Sequence, residues 1–386
     1  MDLVYCFVNG RTKETDAFCA SARREEAVWR LPHNDEQRRW GAQGAVDWFA
    51  HLRSSALVSR RIFILFMGLV VALATGMAAA QAPKGKLVLY TSQPERDAAQ
   101  TVGAFKKAYP GVEVEVFRSG TTEVLGKLAA EFAGGQPKAD VLLIADAASM
   151  ESLKKDGRLM PYPEANLDGL AAGSYDAGKT YFGSKLITTG IAVNTSAKLR
   201  PSSFADLAKP EYKGQIAMPS PLYSGAAAIM LGTMTSRPDL GWGYFEKLKI
   251  ADAVAVRGNG AVLTAVANGE KPYGILVDFM AFNAKAKGSP IDFIFPTEGN
   301  PAVTEPVAIL KTTQNAGAAR AFVDFILSDE GQKLAVSMGY IPARASVGMP
   351  AWLPAGTRIT LMPIDIAKVA DTNAANLKRF ADLFGN

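Results

Sequence analysis

Apolar residues recur along this chain with two periods, and the switching between them marks out its elements. Lys86–Tyr90 (KLVLY) is a short β-prone run. Between Asp97 and Tyr109 the residues Ala98, Val102, Phe105 and Tyr109 fall at helical spacing, so a strand and then a helix are predicted. Val112–Phe117 (VEVEVF) alternates apolar and charged as a half-buried strand does, and Thr122–Phe132 places Val124, Leu125, Leu128 and Phe132 on one helical face. Asp140–Ile144 (DVLLI) predicts a buried strand, with a helix over Ala147–Lys155. Alternating units of this length imply a mostly parallel sheet covered on both faces.

A second series of such units follows. It comprises strand Gln215–Met218, helices Gly225–Thr235 and Leu240–Leu248, strand Val254–Val256, helix Ala261–Asn268 and strand Tyr273–Val277. Between the two series lies Lys185–Asn194 (KLITTGIAVN), an extended β-prone segment suited to crossing from one lobe to another. Glu305–Leu310 (EPVAIL) suits the return, and helices are predicted over Ala316–Leu327 and Glu330–Met338. Two crossings make one lobe discontinuous in sequence. The expected organisation is lobe 1 over 84–187, lobe 2 over 188–304, and a lobe 1 return with C-terminal helices over 305–386.

The start of the chain bears on compartment. Arg60 and Arg61 precede the apolar run Ile62–Ala74, and small residues lead to Ala78 and Ala80, the pattern of a secretory signal peptide cut after Ala80. The run is shorter than the roughly 20 apolar residues of a spanning helix. A signal peptide over 58–80 leaves 1–57 as an over-extended N-terminus, with Val58 as the expected start; the rival reading is a cytoplasmic tail on an anchored protein.

Both cysteines, Cys6 and Cys19, and both histidines, His33 and His51, precede that cut. Residues 81–386 therefore contain none of the side chains needed for Ser-His-Asp or Cys-His nucleophiles, Cys/His zinc sites or disulfides. Of the 42 basic and 37 acidic residues, ten and eight lie before the cut, so the remainder is close to neutral. Nucleic-acid binding would require clustered basic charge, and none is expected.

Several turns join the end of a predicted strand to the start of a helix. They are Ser119-Gly120-Thr121-Thr122, Ser224-Gly225-Ala226 and Asn259-Gly260-Ala261. Helix N-termini carry unpaired N–H groups and the positive end of the helix dipole, and in open α/β sheets ligands collect at the carboxyl ends of strands. These turns are candidate anion donors, although Ser, Thr and Asn also cap helices with no ligand present. Ser92 and Glu95 have capping-box spacing, which makes Glu95 structural and leaves Ser92 able both to cap and to touch a ligand. Asp278, ending the strand Tyr273–Val277, and Asp146, following DVLLI, are candidate acceptors for a ligand ammonium, with a cap or a hinge ion pair as the alternative. Tyr181, Tyr223 and Phe279 are candidates for an apolar wall, and Arg257 for a pair with an anionic group.

The blocks LVLYTSQPERDAAQTVGAFKKAYPGVEVEVFRSGT, ADVLLIAD, YKGQIAMPSPLYSGA, AVANGEKPYGILV and FVDFILSDEGQKLAVSMGYIPAR occur in this order over Lys86–Arg344. Together they resemble periplasmic binding proteins of ABC importers, of the ferric-ion and 2-aminoethylphosphonate type. The resemblance implies a type II fold: two α/β lobes, β-strand hinges and a ligand in the interlobe cleft. It also implies that Ser224, Gly225, Ala226 and Asn259 hold an oxyanion. Ferric binders of this group use paired tyrosines where Phe279 and Met280 stand here, and in some members a histidine and a carboxylate where Pro94 and Ala145 stand. Ferric iron is a hard cation that needs anionic oxygen ligands, which these four residues lack.

The expected function is capture of a small anionic or zwitterionic solute, a phosphonate or phosphate compound such as 2-aminoethylphosphonate. A periplasmic monomer without cofactor would then deliver the solute to permease subunits in the inner membrane. The alternatives are a ferric carrier with a synergistic anion and, more remotely, a secreted enzyme using Asp146 and Asp278 as an acid/base pair.

Overall fold

The computed structural model describes residues 83–171, 173–354 and 356–385. The expected signal peptide over 58–80 and the segment 1–57 lie outside the described residues.

The first series forms β1 (Gly85–Thr91), α1 (Glu95–Ala108), β2 (Val112–Arg118), α2 (Thr121–Ala133), β3 (Val141–Leu143) and α3 (Ala147–Lys155). In α1, Glu95 and Asp97 in the first turn and Lys106 and Lys107 in the last oppose the helix dipole favourably. β1 pairs parallel with both β2 and β3. Period-two alternation sends Val141 and Leu143 into one core, with Leu87, Phe105 and Phe322, and Leu142 and Ile144 into another, with Tyr90, Val124 and Met150. Both faces of this half-sheet are thus covered.

β4 (Tyr181–Asn194) joins the halves. Its first part, through Thr188, pairs antiparallel with β9 (Ala302–Ile309), with a register shift between Gly183 and Leu186. From Thr189 onward it pairs with β7 (Tyr273–Val277) and β8 (Ile291–Ile294). Beyond it lie β5 (Ile216–Pro219), parallel to β7, and β6 (Val254–Val256), parallel to β5. The strand order is β2-β1-β3-β9-β4-β7-β5-β6. Helices α4 (Gly225–Thr235), α5 (Gly241–Ile250), α6 (Asn259–Ala267) and α7 (Asp278–Ala286) flank the second half. Here Ile191 and Ile275 face a core containing Phe204, Met218 and Phe245, whereas Ala192 and Leu276 face the opposite one with Val262 and Val266.

After β9 come α8 (Ala316–Leu327), α9 (Asp329–Ser337) and β10 (Ile341–Pro342), which pairs with β4. The last helix, α10 (Ile366–Phe384), touches both halves. Its Lys155–Asp371 ion pair reaches α3, while fully buried Phe380 packs on Phe245 of α5. Among the described residues, no helix is long and apolar enough to cross a membrane.

Candidate functional site

A cavity of about 400 Å³ opens between the two halves at the carboxyl ends of their parallel strands. Ser92 follows β1, Arg118 ends β2, Ala145 follows β3, Tyr223 and Ser224 follow β5, Arg257 and Asn259 follow β6, and Phe279 follows β7; all of these line it. It is also where α1, α2, α4 and α6 begin, since Glu95, Thr121, Gly225 and Asn259 are their first residues and lining residues as well. The first N–H groups of a helix have no carbonyl partner in a preceding turn. Four helix N-termini therefore turn their donors and positive dipole ends toward one space.

The two halves meet across the mouth. The Tyr223 ring lies against Gly120, where an added Cβ would stand 2.4 Å from a ring carbon. The Arg257 guanidinium stacks over the same ring at 4.6 Å from its centroid, and its Nη2 lies 3.0 Å from Glu123 Oε1 on α2. Both charged partners are well exposed, so this latch adds little stability on its own. Asn259 Nδ2 donates to Ser224 Oγ at 3.1 Å, tying the starts of α4 and α6 together. Arg118 Nε donates to Gln93 O at 2.7 Å, which holds the guanidinium at the cavity wall.

The floor is formed by hinge-strand residues Ile187 and Glu305 with Phe279, Met280 and Tyr340. Lys185 Nζ stands 2.6 Å from Glu305 Oε2 and 3.9 Å above the Tyr340 ring. Tyr340 Oη donates to Asp97 Oδ2 at 2.6 Å, and its ring centroid is 4.1 Å from that of Phe279. Burial pushes the Tyr340 phenol well above its ordinary value, and the charges of Glu305 and Asp97 push the same way. Burial also raises the Glu305 carboxyl, against the pull of Lys185.

Of the residues singled out from sequence, Ser92, Gly120, Thr121, Tyr223, Ser224, Gly225, Ala226, Arg257, Asn259 and Phe279 line the cavity. Five others, Ser119, Thr122, Asp146, Asp278 and Tyr181, do not. Ser119 donates to Glu123 beside the mouth, and Thr122 points out to solvent one residue past Thr121. Asp146 is buried as the N-cap of α3, accepting from Ser149 N at 3.0 Å. Asp278 is buried on the hinge, its Oδ2 accepting from Thr188 N at 3.1 Å and Thr188 Oγ1 at 2.7 Å, and its Oδ1 from Phe279 N at 2.7 Å. Neither carboxylate meets the cavity, which removes the proposed ammonium partners and the proposed acid/base pair. Tyr181 is likewise turned away, its hydroxyl donating to Glu151 Oε2 at 2.9 Å.

The capping box is corrected too. Pro94 is the N-cap of α1 with no side-chain cap bond, Ser92 Oγ accepts from Ala145 N at 3.1 Å, and Glu95 is released to the cavity wall. Sequence reading missed Arg118, Glu305 and Tyr340. Arg118 sits at the carboxyl end of VEVEVFR, directly before the Ser119 turn, and Glu305 is the lone acid of an otherwise apolar return strand; both positions were signals. Tyr340 stands three residues past the end of α9 and had none.

Burial raises the Asp278 carboxyl to about 7, although the Thr188 and Phe279 donors pull it down. The folded protein then holds a proton that the unfolded chain has released. The resulting stability is complete below the ordinary carboxylate range and is lost as pH rises toward 7. In urea titrations, wild type is expected to lose roughly 2–3 kcal/mol more than Asp278→Asn between pH 5 and 7. Equal losses in the two proteins would contradict a neutral Asp278.

The model of the bacterial extracellular solute-binding protein family matches residues 136–368. Among curated relatives, an uncharacterized protein of Haemophilus influenzae is 29% identical over 287 residues, covering 69% of this chain and 80% of that protein. An Fe(3+)-binding periplasmic protein of Serratia marcescens is 26% identical, covering 81% of this chain and 92% of its own length. Among solved structures, the periplasmic binding protein AfuA of Actinobacillus pleuropneumoniae, with exogenous fructose-6-phosphate bound, aligns at TM-score 0.72. It is 24% identical and covers 78% of this chain and 99% of that one. Iron-bound HitA from Pseudomonas aeruginosa aligns at 0.68 with 21% identity, covering 76% and 99%. The fold is that of type II periplasmic binding proteins, and the chain belongs to the bacterial extracellular solute-binding protein family.

Proposed function

We propose that this protein is the periplasmic solute-binding subunit of an ABC importer, and that its cavity takes a small solute through an oxyanion group, a phosphate or phosphonate, with no metal required. The lobes, 84–187 with 305–386 and 188–304, close on the solute by bending at β4 and β9, and the monomer hands it to the permease. The observation that carries the reading is the convergence of four helix N-termini on one cavity, beside Arg118 and Arg257. Thr121 and Glu95 belong to one half, Gly225 and Asn259 to the other, so an anion at their centre is fully held only when the halves are together.

Size supports an organic solute over a bare ion. A cavity of about 400 Å³ falls within the roughly 300–1,000 Å³ of small-molecule sites. The name of the Serratia relative favours iron, yet the side chains here do not. Phe279, Met280, Pro94 and Ala145 supply no anionic oxygen, and the Tyr340 phenol is held protonated against Asp97. Calorimetry on chelator-treated protein is expected to show one site per chain for inorganic phosphate or methylphosphonate. Ferric citrate is expected to produce no tyrosinate-to-iron absorption band. Stoichiometric, tight iron binding would overturn the ligand class.

A further inference from the structure

Glu305 is a buried acid at the cavity floor that the oxyanion reading leaves without a role. It is 2% exposed and lines the cavity from β9. Its Oε2 faces Lys185 Nζ at 2.6 Å and Gln93 Nε2 at 3.4 Å, and among the described residues none donates a hydrogen bond to its Oε1. Lys185 is itself 4% exposed and is otherwise occupied by the face of Tyr340. The pair is neutral as a unit, and the second carboxylate oxygen, which is not among the buried atoms lacking a partner, opens onto the cavity. An acceptor that opens onto the cavity is hydrated while the cavity is empty, and a solute that displaces that water without offering a donor leaves it unsatisfied, whereas one that supplies the donor keeps the bond.

We propose that the unused oxygen of Glu305 accepts a hydroxyl hydrogen from the bound solute, which makes the solute a hydroxylated oxyanion, a polyol phosphate or hydroxyalkylphosphonate, and not an aminoalkyl compound. The inference rests on the oxyanion reading and names the other end of the same solute. Charge decides between hydroxyl and ammonium. Lys185 already matches the charge of Glu305, so a ligand ammonium would bring a second cation against one carboxylate where the dielectric is low. A hydroxyl adds no charge. Glu95, the other acid of the cavity, is exposed at the wall, where solvent screens whatever it offers an ammonium.

The test is calorimetry on the chelator-treated protein with matched ω-hydroxyalkyl- and ω-aminoalkylphosphonates of two to four carbons, and inorganic phosphate as the common anion. At the best spacer length the hydroxy member is expected to bind at least tenfold tighter than its amino partner. In Lys185→Met/Glu305→Gln, with folding established by circular dichroism and a cooperative melt, the two should come within about threefold. Phosphate binding with equal affinities for each pair, or with the amino members tighter, overturns this inference and leaves the oxyanion reading standing. Failure of phosphate and every phosphonate to bind overturns both. If the double variant does not fold, the wild-type series alone decides.

Discussion

Gly225→Val is expected to weaken binding of phosphate-bearing solutes at least about a hundredfold, equivalent to about 2.7 kcal/mol, while the protein stays folded. Gly225 opens α4, and a Cβ placed there would stand 2.7 Å from Ala145 O, 2.8 Å from Thr121 Oγ1 and 2.9 Å from Asp146 Cβ. All three belong to the opposite half, and none is the loose end of a flexible side chain. Overpacking a sealed core costs about 1–3 kcal/mol because the surroundings cannot move aside. Here they can, since β4 and β9 connect the halves and bending there relieves the clash. The cost then falls on closure, because Thr121 and Gly225 can no longer present their donors to one anion. Calorimetry should show the loss, and small-angle scattering should find no ligand-dependent contraction. Wild-type affinity in this variant would contradict closure at Gly225.

Glu305→Ala is expected to lower the unfolding free energy by about 3–5 kcal/mol, because it leaves the ammonium of Lys185 buried without its counter-charge. Lys185→Met/Glu305→Gln removes both charges and keeps comparable volume, so it should lose far less. Urea unfolding of the two variants side by side separates a paired buried charge from simple loss of contacts. A cost below about 1 kcal/mol for Glu305→Ala would show that water reaches Lys185. The pair joins β4 to β9, so its loss is felt at the segments that bend.

The elements most legible in the sequence were those whose period matched their burial. Gly225–Thr235, Val254–Val256, Tyr273–Val277 and Ala316–Leu327 have the bounds their patterns indicate. Helix Asp278–Ala286 escaped notice because it starts with no intervening turn after β7, so strand and helix share one apolar run. The helix turns of the site were legible because strand ends and helix starts are local features. The acids were not, because a carboxylate at a strand end can face the cleft or the hinge, and only the position of Thr188 decides for Asp278. Glu95 shows the converse. Its spacing to Ser92 suggested a local cap, but Ser92 is engaged by Ala145 from β3's end, a partner 53 residues away.

The most direct test of anion capture by convergent helix N-termini is an amide-resolved NMR titration of the chelator-treated, isotope-labelled protein with inorganic phosphate. The amide signals of Thr121, Gly225, Ala226, Asn259 and Gly260 are expected to shift together along one saturable curve, since these are N–H groups at the starts of α2, α4 and α6. Shifts confined to one half of the molecule, or saturable shifts elsewhere with these five unmoved, would contradict the account.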